Sequence, residues 1–307
     1  ISSEPLGGSY LSPRYEEVLE RIVTECRVVL QRIGDAIDML CDPDNRDAAL
    51  AFCFANKAIA VQYGWKEGKE MIYRPFQLGF ILMSLESITN PSSEYRDVCD
   101  LIWVPTGGGK TEAYLVLVAF VLAYRRRLAL SESPARTGAG TAVLTRYTLR
   151  LLTIQQFRRT VSVVTAAEYL RVFQNPDDKT VGWRPSSFPD RSDFVWGSSQ
   201  FSTGLWIGRS ATPNKMTSDR EGTENGAIEL LEKEAGGESE PAQILECPCC
   251  TAILAVAKMG LPRGDRTIRL VVESKSGKDI SAYVKTLNSL TKAETDGMVI
   301  SDASSFR

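Results

Sequence analysis

Residues 101–111 read LIWVPTGGGKT, and this stretch decides the predicted fold. Leu101 to Val104 form a short continuous apolar run, as expected for a strand that is buried on both faces of a parallel sheet. Three glycines follow, and an amphipathic helix is predicted from Glu112 to Arg127. A glycine turn between a strand and a helix is the setting that a phosphate-binding loop needs. The alternative is a glycine turn that only joins the two elements.

The residue types in this turn suit a nucleoside triphosphate. Glycines allow backbone amides to converge on a β-phosphate, and the helix N-terminus adds partial positive charge. Lys110 can reach the β- and γ-phosphate oxygens, and the Thr111 hydroxyl can complete the ligand shell of Mg²⁺. The predicted cofactors are therefore ATP and Mg²⁺, with Lys110 and Thr111 as catalytic residues and Thr106, Gly107, Gly108, Gly109, Lys110 and Thr111 as the binding loop.

Strand and helix patterns alternate beyond the loop. Further short strands are predicted at 141–145 and 204–208, and a long helix is predicted from Leu149 to Gln174. This alternation predicts an α/β fold with a right-handed parallel sheet. Before it, apolar residues at helical spacing and Pro13, Pro43 and Pro75 at helix boundaries predict three helices, at 13–42, at about 46–62 and from about residue 75. The predicted domains are a helical segment at 1–97, an ATP-binding lobe at 98–213, an acidic linker at 214–245 and a small Cys-bearing, β-rich insertion at 246–307, which includes a β-like run at 267–272.

The composition excludes several kinds of chemistry. The 307 residues include no histidine, which rules out Ser-His-Asp and Cys-His nucleophile pairs and His-ligated metal sites within this chain. A net charge of −2 gives no overall attraction to nucleic acid or to a membrane. Locally, however, residues 121–160 carry eight arginines and one acid, and this basic block is expected to meet phosphates.

The cysteines and the apolar runs indicate the compartment. Cys26, Cys41, Cys53 and Cys99 are scattered, so we expect them to be buried free thiols of a reducing cytoplasm. The longest apolar stretch, 115–124, is about half of the ~20 residues that a bilayer span needs. We therefore expect a cytoplasmic protein without membrane association. The first residue is not Met, which suggests a fragment of a longer chain.

The particular form of the glycine loop narrows the protein class. The pattern PTGxGKT resembles motif I of superfamily 2 helicases and translocases, rather than that of kinases, GTPases or AAA-type ATPases. Upstream, Arg74-Pro-Phe-Gln77 resembles the element whose glutamine reads adenine, because an amide can donate and accept in one plane. The alternative for Gln77 is an ordinary residue on a helix surface. The resemblance implies a RecA-like ATP-binding lobe.

Two further elements resemble the nucleic-acid contacts of that superfamily. Residues 141–157 resemble motif Ia, in which a strand ends and a helix begins beneath the nucleic-acid backbone. Residues 212–215 (TPNK) resemble motif Ib, with Asn214 in place of its glycine. The alternative is a solvated basic helix face. The residues expected to contact nucleic acid are Arg146, Thr148, Arg150, Gln155, Thr212 and Lys215.

The amino-acid sequences of these motifs resemble those of the DrmA family, the helicase-like subunits of the bacterial DISARM anti-phage system. The stretches that carry this resemblance lie at 74–82, 103–115, 146–157 and 204–208. It implies an ATP-driven motor that engages DNA beside a DrmB-like partner subunit. However, the chain contains no Asp-Glu pair for motif II, and Glu273 and Asp302 are only partial matches. We therefore expect ATP-dependent activity of the full-length protein and little of this chain alone. The alternative is a nucleotide-binding scaffold subunit that never hydrolyses.

A cysteine cluster remains outside these motifs. Cys247 and Cys250 have the C-x-x-C spacing of a zinc knuckle, and Pro248 shapes the turn between them. A complete zinc ribbon needs a second pair, but no cysteine follows residue 250. The cluster is therefore either half of a zinc site, with Cys247 and Cys250 as ligands, or a group of free thiols.

Overall fold

A computed structural model describes residues 13–105, 107–133, 136–147, 150–176, 179–190, 192–207, 215, 226, 244 and 246–252. These described residues form two compact units, the first within 13–64, 69–144 and 166–201, and the second within 65–68, 145–165 and 202–252. Across these described residues, none of the helices combines the length and the apolar character that crossing a bilayer requires. The predicted run at 267–272 and the residues Glu273 and Asp302 lie outside the described part of the chain.

Helices dominate the described residues and begin close to where the sequence places them. Their bounds are Pro13–Cys41 (α1), Arg46–Glu67 (α2), Pro75–Thr89 (α3), Lys110–Glu132 (α4) and Arg150–Val172 (α5). Asp42 caps the short 3-10 helix Pro43–Asn45, which leads into α2, by accepting a hydrogen bond from the amide of Asp44 at 3.0 Å. Pro75 occupies the first turn of α3, where its missing N–H costs nothing. Local sequence signals therefore predict the helices well.

The core of the first unit is formed by helices together with the segment around Trp196. Helix α3 packs against α1 and α4. Phe54 on α2 lies against Trp196, with ring centroids 4.3 Å apart, and Trp196 is fully buried. The indole N–H of Trp196 donates to the carbonyl of Trp183 at 2.8 Å, so that its one polar atom is satisfied inside the core. The side chains that fill this core include Leu50, Ile59, Ile81, Leu85, Val116, Phe120 and Leu170.

The predicted parallel sheet is wrong for the described residues. Leu101 and Trp103, expected inside a sheet, are 77% and 88% exposed. Leu144 and Trp206, on the other two predicted strands, are 87% and 98% exposed. The β pairing between described residues is confined to isolated bridges, which include those from Val181 to Gln174 and to Phe194. The RecA-like α/β fold is therefore not what this structure shows.

Strands depend on partners, and this explains the error. A strand is stabilised by hydrogen bonds to its neighbours, so a four-residue apolar run does not become one by composition alone. Here side chains of α4 take the carbonyls that a ladder would use. Lys110 donates to Val104 and Pro105, and Arg125 donates to Ala139 and Thr141. Helix packing, not a sheet, buries the apolar surface of this unit.

Two arginines of the basic block bond to groups within the protein. Arg126 is buried, donates to the carbonyls of Thr137 and Gln200, and lies over the ring of Phe201. Arg127 forms ion pairs with Asp47 and Asp190 at 2.8 and 2.9 Å. These arginines hold loops onto α4, so the expectation that the whole block meets phosphates is wrong for them.

The scattered cysteines are free, but they are not the buried thiols expected. Cys26, Cys41 and Cys99 are exposed, and Cys53 is half-buried. The first two lie on α1, whose first turns carry exposed apolar residues such as Val18 and Ile22. Apolar spacing identifies a helix face but not what covers it, and only the last third of α1 has buried residues, at Arg32 and Ala36.

Candidate functional site

The glycine loop, residues 105–111, leads directly into the first turn of α4. The amide of Gly108 donates to the carbonyl of Pro105 at 3.0 Å and closes the turn. Gly109 is the N-cap of α4 and has a φ of +90°, a conformation that favours glycine. Lys110 and Thr111 then begin the helix, while Thr106 lies outside the described residues. The sequence thus predicts the start of this helix within two residues.

Gly108 is required by space rather than by conformation. A Cβ atom at this position would lie 2.5 Å from Cγ1 of Val104 and 2.9 Å from the carbonyl oxygen of Pro105. Neither distance is tolerable, and the second involves backbone that cannot rotate away. The loop is therefore folded so tightly that a side chain cannot be accommodated at its centre.

Two side chains at the start of α3 form hydrogen bonds with the backbone of the glycine loop. The guanidinium of Arg74 donates to the carbonyl of Gly108 at 2.9 Å, and the side-chain amide of Gln77 donates to the carbonyl of Gly109 at 2.6 Å. Gln77 is 3% exposed, and its Oε1 accepts a 2.7 Å hydrogen bond from the amide of Arg74. Both ends of the glutamine side chain are therefore occupied by backbone groups at the start of α3 and in the loop.

These hydrogen bonds determine the direction in which the loop amides point. No cis peptide bond occurs in the described residues, and in a trans peptide the C=O and the following N–H point in opposite directions. With the carbonyls of Gly108 and Gly109 turned toward α3, the N–H groups of Gly109 and Lys110 point away from it. Adjacent amides at a helix N-terminus form an anion-binding concavity. The arrangement can bind a phosphate.

Lys110 is placed to serve that concavity. Its ammonium donates to the carbonyls of Val104 and Pro105, the latter at 3.2 Å, and so folds back along the loop. An ammonium has three donors and a flexible stem, so it can exchange these carbonyls for phosphate oxygens. Thr111 is half-buried in the first turn of α4, the position expected of a Mg²⁺ ligand.

Sequence reasoning named Gln77 but missed what Arg74 does. The adenine-reading role of Gln77 stays a prediction, while its observed bonds are to the loop backbone. Arg74 is the N-cap residue of α3, immediately before Pro75. The sequence does show an Arg-Pro pair at the start of a predicted helix. It does not show that this pair lies close to the glycine loop, because neither periodicity nor composition contains that information.

The expected nucleic-acid residues lie in other parts of the chain. Arg146 and Gln155 are exposed and belong to the second unit, in which Lys215 is also exposed. Arg150 is the first residue of α5, but its side chain, together with Thr148 and Thr212, lies outside what is described. The structure therefore brings together the loop residues and Gln77, and it describes the exposure of Arg146, Gln155 and Lys215 separately.

The cysteine cluster forms a tight turn in the second unit. The amide of Thr251 donates to the carbonyl of Cys247 at 2.9 Å, and the amide of Cys247 donates to the carbonyl of Ala252 at 2.8 Å. Burial by itself would raise the pKa of the Cys247 thiol. Hydrogen bonds from the amides of Cys250 and Cys249 and from the Cys250 side chain outweigh it and lower that pKa. Within the described residues, no group of three or more potential metal ligands converges.

Comparison with known proteins gives one clear similarity. No protein-family model matches the chain. No solved structure matches it either. Over 250 residues, 76% of this chain, the sequence is 36% identical to the DISARM protein DrmA of Bacillus paralicheniformis. The chain spans only 20% of the length of that curated relative. By sequence, this chain resembles DrmA of the DISARM system over most of its own length.

Proposed function

We propose that this chain is the ATP-binding part of a helicase-like subunit in an anti-phage defence system of the DISARM type. The observation that carries the proposal is the pair of hydrogen bonds from Arg74 and Gln77 to carbonyls of the glycine loop. With these carbonyls turned toward α3, the amides of Gly109 and Lys110 point toward a common side. The 36% identity to DrmA supports the assignment to a defence system. ATP with Mg²⁺ is the proposed ligand, held by residues 106–111.

The roles within the loop follow from the chemistry of its groups. Phosphate oxygens accept hydrogen bonds from the amides of Gly109 and Lys110, and the ammonium of Lys110 leaves the carbonyls of Val104 and Pro105 to neutralise the triphosphate. Thr111 contributes its hydroxyl to Mg²⁺. Hydrolysis needs a carboxylate that positions water and metal, and we assign no residue of this chain to that task.

Replacing Lys110 by Ala tests the nucleotide site. A charge-assisted hydrogen bond contributes about 1.5–3 kcal/mol, so the Kd for Mg·ATP should rise about 10–100-fold, measured by calorimetric titration of the full chain. Lys66→Ala is the matched control, because Lys66 is exposed and pairs with the adjacent Glu67. Equal affinities of the Lys110→Ala variant and the unaltered protein would overturn the proposal.

DNA is the proposed partner of the second unit, contacted through Arg146, Thr148, Arg150, Gln155, Thr212 and Lys215, and a DrmB-like subunit is the proposed protein partner. Exposure of Arg146 and Gln155 supports a contact surface there. Replacing Arg146 and Arg150 by Ala should lower the slope of log affinity against log salt by about 0.9 per lost phosphate contact on duplex DNA. Arg136→Ala, an exposed arginine paired with Glu132, is the control. An unchanged slope in the double variant would place DNA elsewhere.

A further inference from the structure

We propose that Cys247 and Cys250 bind Zn²⁺ as two adjacent thiolate ligands in a preformed metal-binding turn. The turn provides the C-x-x-C spacing that structural zinc sites use. Nothing in the proposed nucleotide chemistry uses these residues. The inference therefore stands on the cysteine turn alone and is independent of the glycine loop.

The first supporting observation is the environment of one sulfur atom. Cys247 accepts hydrogen bonds from the backbone amides of Cys249 and Cys250. Two consecutive N–H groups of one turn therefore converge on a single sulfur atom. Ligands of a metal ion are usually oriented by hydrogen bonds from neighbouring donors of this kind. The backbone of the turn thus fixes the position of one proposed ligand, Cys247.

The second observation is the conformation that follows the pair. Thr251 has a φ of +58°, in the left-handed region, although it is a β-branched residue. This conformation is unfavourable for a β-branched residue and persists only where the surroundings impose it. Its amide donates to the carbonyl of Cys247, so this conformation closes the turn over the C-x-x-C segment. Strain concentrated next to the pair points to a turn shaped for a ligand.

The chemistry of the pair selects the ion. Two soft thiolates with backbone donors suit Zn²⁺ rather than Mg²⁺ or Ca²⁺, which prefer oxygen. Structural zinc takes four ligands, and no third ligand side chain converges on the turn within the described residues. The remaining two ligands come from another thiolate pair, either of a second copy of the chain or of another part of the same protein. Binding releases the two thiol protons to solvent.

Cobalt(II) substitution tests the proposal. The reduced full chain is titrated with Co²⁺, and thiolate-to-metal charge-transfer absorption is followed and then reversed with Zn²⁺. We expect the absorption to appear in the unaltered chain and in Cys249→Ser, the matched control inside the same turn. In Cys247→Ser and in Cys250→Ser we expect the apparent affinity to fall more than about ten-fold.

The outcomes separate the alternatives. Absence of charge-transfer absorption in the unaltered chain overturns the proposal, as does an unchanged apparent affinity for Co²⁺ in either Cys247→Ser or Cys250→Ser. An equal loss of Co²⁺ affinity in Cys249→Ser also overturns the proposal, because the site would then depend on all three cysteines and not on Cys247 and Cys250 alone. Circular dichroism confirms that each variant keeps its helices. Sedimentation identifies the other ligands: one metal per two chains with doubled mass indicates a second copy, and one metal per monomer indicates the same chain.

Discussion

The side-chain amide of Gln77 donates to the carbonyl oxygen of Gly109 at 2.6 Å, and so joins the start of α3 to the N-cap of α4. A Cβ atom on Gly109 would lie 2.8 Å from the same nitrogen, which shows how closely the two elements approach. The glutamine is thus placed to control the shape of the loop. This relationship adds a loop-positioning role to the adenine-reading role that the sequence predicts for Gln77, and a 3% exposed side chain is not the ordinary helix-surface residue of the alternative.

Replacing Gln77 by Ala distinguishes the positioning role from adenine reading. A residue that holds the loop through Gly109 affects every nucleotide, so affinities for Mg·ATP and Mg·GTP should fall by the same factor, about 3–10-fold for one hydrogen bond. Loss of ATP affinity alone, with GTP unchanged, would show that the amide reads the base. Gln31→Ala is the control, because Gln31 is exposed and bonds Asp35 one turn along the same helix.

Replacing Gly108 by Ala should distort the loop. The added methyl meets Val104 and the Pro105 carbonyl at 2.5 and 2.9 Å, and the backbone contact has to shift. We expect the free energy of unfolding to fall by about 1–3 kcal/mol, the usual cost of overpacking, and Mg·ATP binding to weaken. Gly64→Ala is the matched control. A Cβ there has nothing within 4 Å, and alanine in a helix should be neutral or stabilising by up to about 1 kcal/mol. Equal stabilities of the two variants in urea unfolding would contradict the packing argument.

Replacing Arg32 by Met should destabilise the first unit. Arg32 is 4% exposed, pairs with both carboxylate oxygens of Asp100 at 2.8 and 2.7 Å, and donates to the carbonyl of Met83. Breaking a largely buried pair costs about 3–5 kcal/mol, because the remaining charge is left without its partner. Urea unfolding measures this loss. Adding Asp100→Asn should recover part of it, and full additivity of the two changes would refute the pairing.

A surface pair provides the comparison for Arg32. Arg21 and Glu25 are 3.9 Å apart, and both side chains are more than 70% exposed. Exposed pairs of this kind contribute about 0–1 kcal/mol. Arg21→Ala should therefore leave the unfolding free energy nearly unchanged. A loss as large as that of Arg32→Met would mean that burial is not the cause.

Acid should weaken the first unit partly through Asp190. Burial would raise the pKa of this carboxyl, but hydrogen bonds from Ser192 and the charge of Arg127 outweigh it and hold the pKa below the ordinary 3.8. A lowered folded-state pKa contributes stability that is present above the ordinary value and is lost as pH falls through the folded value. In Asp190→Asn, the unfolding free energy should therefore depend less on pH below about 4. Acid unfolding curves of equal steepness in both proteins would contradict this prediction.

Local signals predicted the helices, and non-local contacts explain what they missed. Pro75 marks the start of α3, and Asp42 and Pro43 mark the short 3-10 helix that leads into α2, since these signals act within one turn. The strand at 101–104 failed because its fate depends on partners elsewhere in the chain. Charge counting failed at Arg126 and Arg127 for a similar reason, since their acceptors lie on distant loops. At the candidate site, the GKT pattern predicts the loop from the sequence, whereas the hydrogen bond from Arg74 to that loop is apparent only from the structure.

Helix α3 is held at two residues that lie six positions apart in the sequence. Arg32 on α1 bonds the carbonyl of Met83, and Gln77 bonds the glycine loop. A helix is stiff over such a distance, so a movement of α3 relative to the loop would also shift the Met83 carbonyl away from Arg32. We therefore expect that ordering the loop stabilises the contact between α1 and α3. Nucleotide bound at the loop should slow hydrogen exchange in the last turns of α1, far along the chain from any phosphate.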